Sequence, residues 1–171
     1  MLKEKNILLR PFGIEDISSE YLSWLNDPQV VRFSNQRFCT HTLKSAAEYT
    51  NSFNGSDNFF YAILLADTQS LVGTITAYRY RHHQTADMGL LIGDRNFWGR
   101  GVGLSAWSML QDYLLDVCNL RKVTGGTLRC NIGMIRVMER SGMKLEAVRV
   151  RQEIVDEVAQ DALYYAKFNS A

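Results

Sequence analysis

The residues that most clearly suggest chemistry lie in the segment 96–104, where Gly99, Gly101 and Gly103 occupy every second position. A glycine-rich turn between a strand and a helix can direct successive backbone N–H groups into one concavity, and the helix N-terminus adds positive potential. This arrangement suits a phosphate or pyrophosphate, and Arg100 adds a mobile charge. A tight strand-to-helix turn that requires positive φ angles would contain the same glycines.

The spacing differs from that of the two common nucleotide-binding loops. No Lys-Ser/Thr pair follows the glycines, which excludes a Walker loop. The Gly-x-Gly-x-Gly order also lacks the GxGxxG spacing of a dinucleotide fingerprint, and no parallel strand–helix–strand unit precedes it.

Metal-binding and disulfide chemistry are not indicated. Cys39, Cys118 and Cys130 are widely spaced, with no CxxC or Cys/His cluster, so neither structural zinc nor a disulfide framework is expected. His82 and His83 are adjacent and would face opposite sides of a strand, which makes them a poor metal pair. We therefore predict no metal and a reducing compartment.

Composition predicts one globular domain over residues 1–171. The chain is 46% hydrophobic and 22% charged, with a formal net charge of +1, and no composition break marks a second domain. Near-neutrality argues against a surface built to bind nucleic acid or anionic lipid. The longest apolar run, 59–66, is far shorter than the ~20 residues of a membrane helix. We expect a cytoplasmic protein with neither nucleic-acid nor membrane partners.

Hydrophobic periodicity predicts a mixed α/β fold. Pro11 should be the residue that follows and stops the first strand, and a short helix is expected to start at Asp27 or Pro28. Strands are predicted at 7–10, 59–66, 71–81, 86–92, 122–128, 144–155 and 162–168, and the main helices at 16–25, 42–53, 101–117 and 131–141.

Four segments in order resemble the GNAT superfamily of N-acetyltransferases, in the branch typified by ribosomal-protein N-terminal acetyltransferases. Trp98–Gly103 resembles its acetyl-coenzyme A pyrophosphate loop, Leu8–Pro11 its opening strand, Trp24–Val30 its Trp-x-x-Asp-Pro-x-Val junction, and Asn131–Met143 its helix ending in Glu-Lys-x-Gly-Phe. The resemblance implies a single α/β domain. Its central sheet would be mixed but mostly antiparallel, with about seven strands, splayed in the middle and flanked by about four helices.

The resemblance also implies that acetyl-coenzyme A is the co-substrate. Backbone groups of Leu90, Leu91 and Ile92 would pair with the pantetheine arm. The pyrophosphate would lie on the loop formed by Trp98, Gly99, Arg100, Gly101, Val102, Gly103 and Leu104. Asn131, Met138 and Arg140 of the following helix would complete the cofactor site, although Arg140 also suits a solvated helix face.

Two residues are implied to take part in catalysis. Amide formation from a thioester needs an uncharged amine, so a base is useful near neutral pH. Asp87 matches a carboxylate on the family's splayed strand and is the candidate base, although an ion pair with an arginine would equally account for it. Asn131 matches an asparagine near the thioester. Many members carry a tyrosine at the position of Met138, and methionine cannot protonate the leaving thiolate.

The resemblance places the acceptor site among the first two helices, their loop and the last strands, and we expect it in the polar, aromatic-containing stretch that precedes the predicted helix 42–53. Its candidate residues are Arg32, Phe33, Ser34, Asn35, Arg37 and His41. The stretch resembles members thought to acetylate nucleotide-linked amino sugars. Protein N-termini and polyamines stay open, although no acidic cluster of the kind a polyamine would need is visible in the sequence.

The sequence thus predicts an N-acetyltransferase that transfers acetyl directly from the thioester to a small-molecule or peptide amine in a ternary complex. The alternative is a module of the same fold that binds acyl-coenzyme A without catalysis, which the methionine at position 138 favours. A homodimer is also compatible with the sequence.

Overall fold

The computed structural model describes residues 1–4 and 6–169, which form one eight-stranded sheet flanked by helices on both faces. The helices are α1 (Ser19–Leu25), α2 (Leu43–Asn51), α3 (Val102–Asp112) and α4 (Ile132–Arg140). The strands are β1 (Leu2–Glu4), β2 (Ile7–Pro11), β3 (Phe59–Leu65), β4 (Leu71–Tyr80), β5 (Thr85–Ile92), β6 (Lys122–Leu128), β7 (Lys144–Val155) and β8 (Val158–Phe168).

The sheet has the order β1-β2-β3-β4-β5-β6-β8-β7, and every neighbouring pair except β5–β6 is antiparallel. The parallel pair extends only from Thr85 opposite Lys122 to Met88 opposite Gly125. Beyond that point β5 remains paired with β4, and β6 remains paired with β8. The two central strands therefore diverge, as predicted.

Side-chain alternation places two separate cores on the two faces of the sheet. Ala86 and Met88 of β5 join the larger core, which contains the buried residues of α3 and α4. The smaller core contains Tyr21 and Trp24 of α1 and Ala46 of α2. We call the two sides the α3/α4 face and the α1/α2 face. Asp87 alternates with Ala86 and Met88 and therefore belongs to the α1/α2 face.

Side-chain caps fix the starts of several helices. Ser18 accepts a hydrogen bond from the Tyr21 amide at the start of α1, and Thr42 accepts one from the Ser45 amide at the start of α2. The predicted helix 101–117 forms α3, followed by a π-helical turn at Tyr113–Val117. No helix among the described residues is long and apolar enough to cross a membrane.

Several predicted boundaries were wrong. The strand β1 was not predicted, so the sheet has eight strands instead of about seven. No helix starts at Asp27 or Pro28; residues 28–30 form a turn, and a 3₁₀ helix follows at Asn35–Phe38. Pro11 is the last residue of β2 and not the residue after it, because a proline at a strand end removes no donor from the ladder interior.

Candidate active site

The divergence of β5 and β6 opens a cleft in the middle of the sheet. Pairing stops after Met88 and Gly125, while β5 continues to Ile92 and β6 to Leu128. The facing backbone edges of these two strand ends are not paired with each other. Backbone N–H and C=O groups without a strand partner can bind an extended amide-containing ligand, in the manner of an added strand.

The glycine loop lies at the end of this cleft where β5 finishes, directly before α3. Gly99 and Gly101 have φ angles of +71° and +83°, and a Cβ at either position would meet no atom within 4 Å. Gly101 caps α3 without a side-chain hydrogen bond, and Ser105 is the first residue whose amide reaches back to the Gly101 carbonyl. The amides of residues 102–104 thus remain available for an anion at a helix N-terminus.

Trp98 holds this loop in place. Its indole Nε1 donates a 2.7 Å hydrogen bond to the carbonyl of Ile92, the last residue of β5. The ring remains 45% exposed. The loop and the cleft edge are therefore tied together by a single side chain. Sequence reasoning placed Trp98 in the cofactor loop, but this hydrogen bond could not be read from spacing alone.

Several predicted cofactor residues can contribute only backbone atoms. The side chain of Val102 is buried in the larger core, against which Leu90 and Ile92 also pack. Gly103 lies over these strand residues, since a Cβ there would be 3.2 Å from Leu90 Cδ2. This glycine therefore permits close packing of α3 on β5. Leu91 alternates to the α1/α2 face, Leu104 is partly buried in the first turn of α3, and Arg100 is exposed.

Three residues of the α4 region were predicted to bind the cofactor, and each has a different environment in the structure. Asn131 caps the helix, with its Oδ1 accepting a 3.2 Å hydrogen bond from the Met134 amide, which leaves its Nδ2 group for a ligand. Met138 has no exposed surface and lies in the larger core, with its sulfur 3.4 Å from the Cβ position of Gly125. Its predicted contact with the cofactor is therefore replaced by core packing. Arg140 is exposed in the last turn.

Asp87 lies at the bottom of the cleft, on the α1/α2 face. Its Oδ1 accepts a 2.6 Å hydrogen bond from the hydroxyl of Thr124, the residue opposite it on β6. Burial raises the pKa of Asp87, and the Thr124 hydrogen bond offsets part of that rise. Among the described ion pairs none includes Asp87, so the structure does not contain the arginine partner that was the alternative explanation.

Aromatic residues from β4, α2 and the turn after α2 cluster around the β4 residue opposite Asp87. Tyr78 is its direct neighbour on β4, and the Tyr78 and Tyr49 hydroxyls are 2.6 Å apart. The Phe53 ring lies 5.2 Å from the Tyr49 ring and 5.7 Å from the Tyr78 ring. Burial, followed by the hydrogen bond to Tyr78, raises the pKa of Tyr49. Thr124, Tyr78 and Tyr49 were not predicted, because strand register and helix docking bring them to Asp87 from distant parts of the sequence.

The predicted acceptor stretch lies against the tip of the β7–β8 hairpin. Arg32 Nη2 is 2.5 Å from Asp156 Oδ2. Arg37 donates to the carbonyl of Ile154 at 3.1 Å and lies 3.7 Å from the carboxylate of Glu153. Both guanidinium groups therefore hold the loop on the hairpin, whereas the sequence predicted that they bind an acceptor.

The other predicted acceptor residues have mixed environments. Phe33 packs against a small core that includes Leu128 at the end of β6. Ser34 caps the 3₁₀ helix, and Asn35 is exposed. The backbone of His41 exchanges two 2.9 Å hydrogen bonds with the side chain of Asn26. Phe33 thus brings the stretch next to the cleft.

The structure also brings together carboxylates that the sequence did not group. Glu20 and Asp27 of the α1 region line a cleft of about 350 Å³ with Asp94 and Arg95, which follow β5. Arg95 lies 3.7 Å from Asp27. This second cleft begins after the end of β5. Asp87 lies near the start of β5, roughly 20 Å away at ~3.3 Å per residue. The carboxylates are therefore remote from the candidate base.

A coenzyme A molecule fits the features of this site. The open, side-chain-free glycine turn and the uncapped start of α3 suit a pyrophosphate, and the unpaired edge of β5 suits the amides of a pantetheine arm. Within the described residues, no group of three or more His, Cys, Asp or Glu side chains is arranged to hold a metal ion.

Comparison with known proteins agrees with this fit. The family model described as "Acetyltransferase (GNAT) domain" matches residues 6–144. The chain is 24% identical over 177 residues to the probable N-acetyltransferase YjcK of Bacillus subtilis, which covers 99% of this chain and 97% of that protein.

Solved structures share the fold. Spermidine N-acetyltransferase from Vibrio cholerae, in complex with coenzyme A and spermine, superposes with a TM-score of 0.84 at 16% identity over 96% of both chains. Ribosomal-protein-S5-alanine acetyltransferase from Vibrio fischeri gives 0.83 at 13% identity over 98% of this chain and 96% of that one. The chain therefore belongs to the GNAT family and is an acetyl-coenzyme A-dependent N-acetyltransferase.

Proposed function

We propose that the protein acetylates a primary amine by direct attack of the amine on the thioester, with Asp87 as the general base. The observation that carries this proposal is the environment of Asp87. It is a partly buried carboxylate with a raised pKa and a single hydroxyl donor, located where the central strands diverge. A base of this kind has a higher proton affinity than an exposed aspartate.

The proposed acetyl transfer begins with deprotonation of the acceptor amine. The acceptor enters as an ammonium ion and gives one proton to the Asp87 carboxylate. The neutral nitrogen attacks the thioester carbonyl carbon, a C–N bond forms, and the C–S bond breaks with its electron pair leaving on sulfur. The excess proton that the nitrogen still carries passes, directly or through water, to the departing thiolate to give the free thiol, and Asp87 returns its own proton to solvent. Backbone N–H groups on the unpaired edge of β5 would stabilise the oxyanion. Met138 is buried and has no proton to give, so no residue of α4 is assigned as an acid.

The donor is proposed to bind through backbone groups. The amides of residues 102–104 and the open turn around Gly99 and Gly101 would hold the pyrophosphate, and Leu90–Ile92 would pair with the pantetheine arm. The Nδ2 group of Asn131 would add a contact near the thioester. This explains how a chain with a net charge of +1 can bind a strongly anionic ligand without a basic surface.

The acceptor is proposed to be a nucleotide-linked amino sugar or a protein N-terminus. Support comes from the side of the cleft formed by Phe33 and Tyr164, where aromatic surface suits a sugar or a peptide. A polyamine is not favoured, because the acidic cleft around Asp94 lies at the far end of β5 from Asp87.

Free-thiol release from acetyl-coenzyme A in the presence of an amine panel tests the proposal. The wild type should release thiol with at least one amine class. Asp87→Asn should lower turnover by about 100-fold or more, the usual size of a general-base contribution, with coenzyme A affinity unchanged. Asp116→Asn, an exposed aspartate after α3, is the matched control and should behave as wild type. Coenzyme A binding without thiol release from any amine would instead favour a non-catalytic binding module.

A further inference from the structure

We propose that Arg149, stacked on Tyr164, binds an anionic group of the acceptor, so that the preferred substrates are primary amines with a negative charge some distance from the nitrogen. This inference rests on the acetyl transfer proposed above and specifies the substrate class of that site. Three observations support it: the position of Arg149, the absence of a described ion-pair partner for Arg149, and the location of Tyr164 and Asp87 on the same face of the sheet.

Arg149 is held in a defined position on the outer strand. It lies opposite Ala162 in the β7–β8 pair, and its guanidinium carbon is 5.0 Å from the centroid of the Tyr164 ring. Stacking on a ring restricts a long side chain, which lowers the entropy that must be lost when a ligand binds. Arg149 is exposed and forms no ion pair with any carboxylate whose side chain the structure describes.

Three other arginines at this end of the sheet are already neutralised. Arg32 pairs with Asp156, Arg37 with Glu153, and Arg129 with Asp161 through a 2.9 Å contact. Each of these pairs joins two segments of the chain. Among the arginines near this end of the sheet, Arg149 is therefore the one placed on an aromatic ring with its donors unused by a described carboxylate.

Tyr164 connects Arg149 with the cleft. It lies opposite Gly126 on β6, and a Cβ at Gly126 would be 3.3 Å from the Tyr164 ring. Gly126 is two residues beyond Thr124, so the two share a face of the sheet, and Thr124 is bonded to Asp87. Tyr164 and Asp87 are therefore on the same face, on either side of the point of divergence.

This geometry sets the spacing that an acceptor must match. Two strand spacings of ~4.8 Å and two residues of ~3.3 Å separate the backbones of Asp87 and Tyr164, a diagonal of roughly 12 Å. The Arg149 guanidinium carbon lies 5.0 Å from the Tyr164 ring centroid, so the anion would be bound at a similar reach from the candidate base. A guanidinium offers a planar fork of donors that matches a carboxylate or a phosphate. An amine bound at Asp87 with an anion at that reach would satisfy both ends of the site.

Linear primary amines of equal length test the charge preference directly. 8-Aminooctanoate, 8-amino-1-octanol and 1,8-diaminooctane differ only in whether the far end is negative, neutral or positive. We expect kcat/KM for thiol release to be about fivefold to tenfold higher for the carboxylate than for the alcohol, the range of one charge-assisted contact at a partly exposed site. The diamine should be the poorest of the three.

Variants assign the preference to Arg149. Arg149→Gln should raise KM for 8-aminooctanoate by the same factor, leave kcat unchanged, and leave the kinetics of the alcohol unchanged. Arg151→Gln removes the same charge two residues along the strand and should keep the wild-type preference. Tyr164→Phe retains the ring and should also keep it, whereas Tyr164→Leu should lose it.

The outcomes separate this inference from the proposed function. Equal kcat/KM values for the carboxylate and the alcohol, or a preference that survives Arg149→Gln, would overturn the anion site while acetyl transfer stands. A higher rate with the diamine would identify a cationic acceptor and overturn it as well. Failure to release thiol with any of the amines would instead contradict the underlying acetyltransferase chemistry.

Discussion

The Thr124 hydroxyl donates a 2.6 Å hydrogen bond to the carboxylate of Asp87 across the only parallel strand pair of the described sheet. The two residues lie one register position before the strands diverge. Burial raises the pKa of Asp87, and this one hydrogen bond moderates the rise. Thr124 is thus a positioning residue whose removal should change the proton affinity of Asp87.

Thr124→Val should shift the acidic limb of the pH–rate profile to higher pH. The donor that stabilises the Asp87 carboxylate is lost, its pKa rises further, and the base form is populated only at higher pH. The limb of kcat/KM between pH 5 and 9 is the measurement. Thr127→Val, on the same strand, is the control. A limb that stays in place would exclude Asp87 as the titrating base.

Gly101→Glu should weaken coenzyme A binding by at least about tenfold. The substitution places a carboxylate at the helix N-terminus where phosphates are expected. The glutamate must also adopt the left-handed conformation of this position, which costs about 1–2 kcal/mol. Gly55→Glu is a matched control, because Gly55 has φ +71° and equally open surroundings in a remote turn. Titration calorimetry with coenzyme A distinguishes the two, and equal affinities for both variants would refute the loop assignment.

Gly125→Ala should destabilise the fold by about 1–3 kcal/mol, the usual cost of overpacking. A Cβ at Gly125 would lie 2.7 Å from Cη2 of Trp107, which is fully buried and cannot move aside. Gly126→Ala meets the partly exposed Tyr164 ring at 3.3 Å and should cost less than about 1 kcal/mol. Urea unfolding of both variants measures the difference. Similar unfolding midpoints would mean that the Trp107 ring shifts to make room for the added methyl group.

Asp16→Asn should cost about 1–2 kcal/mol at pH 7, and this cost should disappear in acid. Burial alone would raise the pKa of Asp16, but two 2.6 Å hydrogen bonds from Arg10, a bond from the Gly13 amide and the Arg10 charge outweigh it and lower the pKa. A lowered folded-state pKa contributes stability above the unfolded value, about pH 3.9, and loses it as the pH falls.

Denaturant midpoints between pH 2.5 and 7 test this dependence. Glu48→Gln is the control, because its contact with Lys44 is 3.9 Å long and both side chains are mostly exposed. That variant should change stability by less than about 0.5 kcal/mol at every pH. A cost of Asp16→Asn that persists unchanged at pH 2.5 would rule out the ionic contribution.

Periodicity predicted the elements that have a hydrophobic face. The strand β6 and the extent of β7 match the predicted ranges, and the α3 region matches once its π-helical turn is included. The strand β1 was missed because three residues carry no periodic signal. The start of β8 was placed four residues late, because Asp156 and Glu157 form the hairpin turn with φ angles of +49° and +64°, a conformation usually marked by Asn or Gly.

The conformation of the glycine turn was predictable because it depends on the backbone alone, whereas contacts between distant strands were not predictable because they depend on register. Alternating glycines predicted the open turn at Gly99 and Gly101, and the structure has both in left-handed conformations. Thr124 and Arg149 gave no signal, since nothing in a sequence states which residues of distant strands are opposite each other. Arg32 and Arg37 were assigned to a ligand because their carboxylate partners, Asp156 and Glu153, lie more than 100 positions away.

The hydrogen bond from Trp98 to Ile92 ties the glycine loop to β5, which is also paired with β4 along its length, so the proposed donor side of the cleft is held by continuous hydrogen bonding. The proposed acceptor side is assembled differently, from a loop held on a hairpin tip by Arg32 and Arg37 at the surface. Under the proposed assignment, inherited changes in the loop and hairpin would alter which amine is chosen while the acetyl group is still delivered to the same place. Duplicated copies of such a gene could therefore diverge in substrate without first losing activity.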